Sequence, residues 1–587
     1  MLKKIYIYIL TLFLICDNSA QYYLRGEIKD EKNQYLQNVR IFLHSDKNVY
    51  FSGNSGGFGI SCIHPKDSIT LFLEGYETKS ISVSTEVLNQ IILKSLSSNI
   101  SKNLKKLISV TKNDNFSSKA TSFINDESYF SLIENEIIET DKYPNTGFSL
   151  NINKASYSNI RRFLHTKSLV PPDAVRIEEL LNYFNLHYRE PDKNKDFNIE
   201  SQLSDCPWNT KSKLLYLNIN AKKLDMANIP PSNLVFLIDA SGSMDMPNRL
   251  PLVKAAFQML VKNLRPIDTV SIVVYGGIVK VWLQPTSGIE KQKIIESIEE
   301  LDAAGDTPGE SAIRMAYTLA RKSFIKGGNN RVILATDGDF NVGETTEKAL
   351  EDLITKERKS GVYLTCLGVG MGNYKDSKLE ILAKRGNGNY AYLDDINEAE
   401  KVLVSEVTQT FYSVADNVFL NIHFNPAIIK NYRLIGFDNK RDAIKDTTGE
   451  LEGGDIGSGN SVLSIFEITP YLEGVNLKDS LKGSVAMVSL KYITPENKLY
   501  KQLIYNCLYN YTTFNDIDRS YQFGTAIAMF GMQLRQSKFL PATAAWSTIE
   551  NIAFNSYDPS DYLQSQFVQL ITIAKKIYSK RRNRKNY

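Results

Sequence analysis

The sequence predicts a multidomain chain, α/β plus β: a central doubly wound, Rossmann-like domain, an N-terminal β-sandwich before it, and β-rich and then helical regions after it. Three observations carry this reading. Between about 231 and 412, the apolar runs "LVFLI", "TVSIVVYG", "RVILAT" and "VYLTCLGVG" alternate with the amphipathic stretches "LPLVKAAFQMLVKNL", "KQKIIESIEEL", "ESAIRMAYTLARKSF" and "TEKALEDLITKERKSG". Fully apolar strands separated by such helices make a mostly parallel sheet covered on both faces. From 21 to 96, short runs such as "VRIFLHS", "SITLFLEGY" and "KSISVS" alternate apolar and polar residues between Gly, Asn and Asp, which predicts a small antiparallel sandwich. From 413 to 587, strand-like runs ("NVFLNIHF", "SVLSIFEIT", "GSVAMVSLKYI", "YKQLIYNCLY") give way to helical ones ("YQFGTAIAMFGMQLRQS", "YLQSQFVQLITIAKKIYSK"). At 587 residues the chain exceeds one hydrophobic core, and ~100–200 residues per domain suggests three to five.

The remaining segments are read in chain order. Lys3 and Lys4 precede "IYIYILTLFLI" and the small, polar "DNSA", the three-part layout of a signal peptide over 1–20 with cleavage after Ala20. The apolar run is too short to span a bilayer comfortably. An uncleaved anchor, or lipid modification at Cys16, are the alternatives, although bulky Ile15 stands where a lipidation site wants a small residue. The protein is thus expected to be exported, to the periplasm or cell surface. Residues 97–140 are rich in Ser, Asn, Lys and Glu with weak periodicity and read as a linker. In 141–230, "ASYSNIRRFLH" and "DAVRIEELLNYF" have helical spacing, Pro171-Pro172-Asp173 supplies a break, and "CPWNTKSKLLYLNINAKKL" alternates like a strand pair. Cys206 and Trp208 there read as core residues. The basic tail "SKRRNRKNY" reads as a solvated end.

Composition excludes several function classes. A formal charge of +4 gives nucleic-acid binding no support. Cys62, Cys206, Cys366 and Cys507 are scattered, without a Cys-x-x-Cys, so neither a disulfide framework nor a zinc knuckle is implied. The five histidines, His44, His64, His165, His187 and His423, show no zinc-hydrolase spacing, and no Gly-x-x-x-x-Gly-Lys-Ser/Thr occurs.

One constellation carries chemistry. "LVFLIDASGSM" runs as a buried strand and then places Asp239, Ser241 and Ser243 on alternate positions at its carboxyl end, where open α/β sheets bind ligands. Asp-x-Ser-x-Ser alone is a loose pattern, expected about 0.1–0.2 times by chance in such a chain. "DAAGDTPGES" adds Thr307 before a helix, and "RVILATDGDFNVG" adds Asp337 directly after another buried strand. Two carboxylates and three hydroxyls, with no thiolate or imidazole nearby in sequence, suit a hard cation such as Mg²⁺, with Mn²⁺ or Ca²⁺ as other divalent candidates. Asp245, Asp306 and Asp339 lie beside these ligands and are candidates for tuning the field. Ser241 as a nucleophile would need a base, and no His lies near either loop in sequence.

"DASGSM", Thr307 in its glycine-flanked loop and "TDG" resemble the metal-ion-dependent adhesion site of a von Willebrand factor type A (VWA) domain, over 231–412. The resemblance implies Ser241, Ser243 and Thr307 as direct ligands, with Asp239 and Asp337 direct or water-bridged. "FSLNINKASYSNIRRFL", "AVRIEELLNYF", "CPWN", "NNRVILATDGDFNVG", "GNGNYAYLD" and "FGMQLRQSKF" further resemble a bacterial group of secreted VWA proteins. In that group a von Willebrand-like region, here 141–230, precedes the VWA domain, and a region of unknown function, here 413–587, follows it. Asp306 departs from the small residue that group has beside its Thr. "GEIKDEKNQYLQNVRIFL", "SGGFGIS" and "LFLEGYETKSISV" resemble the carboxypeptidase regulatory-like domain, a transthyretin-like sandwich.

The function expected is that of an exported cell-envelope binding protein, not an enzyme, whose VWA domain presents Mg²⁺ to an acidic group on a protein partner. A metal-independent envelope scaffold is the alternative, and a hydrolase the reading with least support.

Overall fold

The computed structural model describes residues 22–95 and 127–584, apart from internal segments of which the longest are 339–346, 441–453 and 472–483. The expected signal peptide, most of the expected linker, and Asp306, Thr307 and Asp339 lie outside the described residues. The chain divides into two compact units, Met1–Lys106 and Leu107–Tyr587.

In the first unit, two sheets close on one core. Tyr22–Asp30 lies between Gly57–Cys62 and Asn89–Leu93, and the second sheet runs Val49–Phe51, Arg40–Leu43, Lys66–Phe72, Lys79–Ser84. Alternate residues Leu24, Ile28, Ile41, Leu43, Ile69, Leu71, Ile91 and Leu93 fill the space between them, as period-two patterning requires. The sandwich is not wholly antiparallel: Tyr22–Asp30 pairs parallel to Asn89–Leu93. Period two is common to both pairings and does not report strand direction.

At the centre of the second unit is a six-stranded sheet. Its strands are β1 (Ser232–Asp239), β2 (Thr269–Gly276), β3 (Ile278–Ser287), β4 (Asn329–Thr336), β5 (Tyr363–Gly368) and β6 (Tyr390–Tyr392), in the order β3-β2-β1-β4-β5-β6. All neighbours are parallel except β2 and β3. That exception follows from Gly276-Gly277, where Gly277 has φ +72° and closes a tight hairpin. Helices cover both faces; Leu250–Lys262 packs on one and Gly309–Lys322 on the other, and their apolar stripes belong to separate clusters on either side of the sheet. This is the doubly wound α/β arrangement that the alternation predicts. Because the strand order reverses between β1 and β4, a crevice opens at their carboxyl ends.

Two antiparallel sheets flank this domain and share a core. One is ordered Phe197–Asp205, Lys213–Ala221, Ser461–Pro470, Ile429–Ile435, Ile138–Glu139; the other Asn145–Ser149, Ser413–Phe424, Ser484–Ile493, Tyr500–Leu508. Segments 141–230 and 413–587, apart along the chain, therefore both contribute strands to each sheet, an interleaving made at Lys213–Ala221 with Ser461–Pro470 and at Asn145–Ser149 with Ser413–Phe424. A helical layer of Ala155–His165, Ile177–Asn182, Arg519–Arg535, Trp546–Ser556 and Tyr562–Arg584 covers the outer face of the first sheet through Leu214, Tyr216, Leu463 and Ile465. Cys206 and Trp208 are buried in that core, and Cys62, Cys366 and Cys507 are also buried. Part of the expected linker belongs to the flank: Leu132–Ile133 pairs with Asn439–Lys440, and Ile138–Glu139 with Ile429–Ile435. Two-residue strands are too short to print a period in the sequence.

Buried arginines fasten flank to sheet. Arg161 donates to Asp394 Oδ2 at 2.7 Å and to Glu398 Oε2 at 2.8 Å. Arg176 reaches Asp376 Oδ2 at 2.7 Å while its Nε holds Glu179 at 2.6 Å. Within the flank, Arg162 grips both oxygens of Glu127, at 2.7 and 2.9 Å. Removing one partner from such a pair strands a charge in low dielectric. Arg161→Met is accordingly expected to lower unfolding stability by about 3–5 kcal/mol, read from the urea midpoint, with most of the loss recovered when Asp394→Asn and Glu398→Gln are added.

Candidate metal centre

Parallel pairing of β1 with β4 in register sets Ile238 against Ala335, so the next residues, Asp239 and Thr336, meet at the carboxyl edge. Thr336 Oγ1 donates to Asp239 Oδ2 at 2.7 Å, and the Ser241 amide donates to Asp239 Oδ1 at 3.0 Å. Thr336 Oγ1 in turn accepts the Gly338 amide at 3.0 Å. Asp239 and Asp337 are both fully buried. Burial pushes the Asp239 carboxyl up to about 6, and the charge of Asp337 adds to the rise, against the donors from Ser241 and Thr336. The phenol of Tyr275, at the end of β2, is buried beside them, and burial with the charge of Asp239 holds it well above its ordinary range.

After Asp239 the chain enters the short turn Gly242–Met244, which folds the two serines together: Ser241 Oγ and Ser243 Oγ are 3.1 Å apart. Ser243 is partly exposed and Asp245, beyond the turn, is exposed. A third loop abuts this one. Ala304 N donates to Ala240 O at 2.7 Å, and Gly242 N to Gly305 O at 3.0 Å. Glycines make the approach possible: a Cβ on Gly276 would stand 2.3 Å from Ala240 O, and one on Gly305 2.5 Å from Gly277 N. The chain just before Asp306, at Ala304 and Gly305, is thereby drawn to the turn, while Thr307, Asp306 and Asp339 themselves lie outside the described residues.

Of the predicted ligands, Asp239, Ser241, Ser243 and Asp337 are gathered at one edge of the sheet. Their donor set, two buried carboxylates with neighbouring hydroxyls, fits a hard divalent cation. Among the described residues no group of three or more His, Cys, Asp or Glu is placed to hold a metal ion, at this edge or elsewhere, so a seat here draws on hydroxyls beside its two carboxylates. Sequence reasoning missed Arg249. Its Nη1 donates to Asp337 Oδ2 at 2.8 Å and to the Ser243 carbonyl, and its Nη2 to Met371 O at 2.9 Å. A signal existed: a basic residue immediately before helix Leu250–Lys262 faces the positive end of the helix dipole, an unfavourable place without a compensating anion.

Three family models match the chain in succession. A family model described as von Willebrand factor matches residues 123–216, the von Willebrand factor type A domain matches 233–405, and the model of the C-terminal region of uncharacterized protein YfbK matches 409–577. Human inter-alpha-trypsin inhibitor heavy chain H4 is 32% identical over 149 residues, 24% of this chain and 16% of that protein. Among solved structures, a von Willebrand factor type A protein from Catenulispora acidiphila aligns over 63% of this chain and 88% of its own with 14% identity and a TM-score of 0.36. Uncharacterized protein YfbK of Escherichia coli strain K12 is 37% identical over 476 residues, covering 76% of this chain and 80% of that protein. By that extent of identity, the chain belongs to the YfbK family of VWA domain proteins.

Proposed function

We propose that this is an exported, envelope-associated interaction protein whose VWA domain seats a divalent cation, Mg²⁺ by preference, and offers it to a carboxylate on a protein partner. The observation that carries the reading is the pair of buried carboxylates, Asp239 and Asp337, on neighbouring strand ends at the point where strand order reverses. Ser241 and Ser243, with Thr307 from the adjoining loop, would hold the ion directly, and Asp239 and Asp337 directly or through water. Asp239 has both oxygens engaged by Ser241 and Thr336, which suits a water-bridged role. A bound dication would supply an electrophilic point able to accept one further oxygen ligand. Asp245, exposed beside the turn, and Asp306 and Asp339 would tune the field there. Export is supported by the amino-terminal sequence pattern, and among the described residues no helix is long and apolar enough to cross a membrane. The first unit would serve as an accessory module of the carboxypeptidase regulatory-like kind.

Binding rather than catalysis is supported by the all-oxygen surroundings of Ser241, whose hydroxyl meets that of Ser243 and the Asp239 carboxylate, a set that suits a cation. A second reading, a metal-independent envelope scaffold, draws support from Arg249, which already brings a positive charge to Asp337.

Two outcomes follow. In a crosslinking pull-down from intact cells, partners should be lost with EDTA and regained with Mg²⁺, and an Asp239→Ala/Ser241→Ala variant should recover none of them; retention of the same partners by that variant selects the scaffold. The second concerns pH. A carboxyl whose folded pKa of about 6 exceeds its unfolded value binds protons more readily when folded, so without metal it lowers stability above pH ~6 and this cost fades as pH falls toward ~4. Asp239→Asn should therefore stabilise the EDTA-treated protein on the order of 2–3 kcal/mol at pH 7.5, with the gain vanishing near pH 4 in paired thermal melts, while Mg²⁺ no longer raises its Tm.

A further inference from the structure

Arg249 is wedged between three loops at the edge of the seat. It is buried, with 7% of its surface exposed, and its fork joins the Ser243 carbonyl, Asp337 Oδ2 and the Met371 carbonyl. Room for the guanidinium is made by Gly370, at φ +82°, where a Cβ would stand 2.6 Å from Arg249 Nε. A long cationic side chain held this way on a proposed metal ligand is a fixed element of the site's charge. Its counterpart in the loop, Asp245, is exposed, so solvent screens that charge far more than it screens buried Arg249 and Asp337.

We propose that Arg249 is a resident cation of the metal seat, neutralising one of its two carboxylates so that a divalent ion is held weakly and the loaded seat carries excess positive charge. The inference rests on the metal-binding reading above and names what tunes it. With Asp239 and Asp337 alone, a dication would be balanced; with Arg249 on Asp337, the same ion leaves one positive charge over, and that excess favours an anionic partner group. Because Arg249 Nη2 also holds Met371 O, and the next amide, Gly372, donates to Glu127 at 2.9 Å, the residue ties the seat to the carboxylate that Arg162 grips in the flank.

The test is Mg²⁺ titration of the full chain by calorimetry, with Arg249→Gln, a polar side chain that loses the charge, and Arg249→Lys, which keeps the charge. Arg249→Gln should bind Mg²⁺ at least about tenfold more tightly than the parent, as expected when a unit charge within a few ångströms of the ion is removed; Arg249→Lys should stay close to the parent. If Arg249→Gln does not fold by circular dichroism, Arg249→Met takes its place. Binding by the neutral variant that is equal to or weaker than the parent's overturns the inference and leaves the metal-binding reading standing. Mg²⁺ binding by the neutral variant but not by the parent supports the inference and defeats metal-dependent function in the native protein.

Discussion

The pairing of β1 with β4 is the constraint on which the functional edge depends. Register places Ile238 opposite Ala335, and each strand ends one or two residues later in a carboxylate. A one-residue slip would turn every side chain of a strand to the other face, so the packing of Val235 and Leu237 on one face and Phe236 and Ile238 on the other goes with one position of Asp239. The polar contacts then refine it. Thr336 and the Ser241 amide each take one oxygen of Asp239, so the carboxylate enters the crevice already oriented. The hydrophobic pattern thus supplies the coordinates of the site, and the loops supply its chemistry.

Glycine has a matching role at the same edge. The loops after β1 and β2 and the loop before Gly309–Lys322 approach backbone to backbone, with Gly276, Gly277 and Gly305 at the contacts. Side chains there would hold the loops apart and spread the oxygens. On the far side Gly370 does the same for Arg249. Close approach, more than any single hydrogen bond, is what brings the turn after β1 against its neighbouring loops.

Much of this was legible in the sequence, and the illegible parts share a cause. Strands β1, β2, β4 and β5 announce themselves because they are apolar on both faces, and Asp239, Ser241, Ser243 and Asp337 because they interrupt those runs abruptly. β3 was missed since its pattern, "IVKVWLQPTS", alternates irregularly across a register shift between β2 and β3. Leu132–Ile133 and Ile138–Glu139 are too short for any period. The interleaving of the flank could not be read at all, because which strand lies beside which is a matter of long-range packing. Arg249 belongs to the same class: its significance comes from Asp337, 88 positions away.

That interleaving has a consequence for how the molecule comes into being. Asn145–Ser149 waits for Ser413–Phe424, Lys213–Ala221 waits for Ser461–Pro470, and Arg161 on an early helix meets Gln566 on the last one, 405 positions later. The α/β domain between them is built from nearer contacts and can assemble while the rest of the chain is still being made. Loop-closure entropy makes the distant pairings slow to form. In a chain that is threaded from its amino end, the early flank strands must pass the time with open edges until nearly the whole polypeptide has arrived. Completion of the flank therefore waits on residues as late as Gln566, and a product cut before them would expose unpaired strands and an arginine-studded helix, features that quality-control proteases and chaperones meet in unfinished proteins.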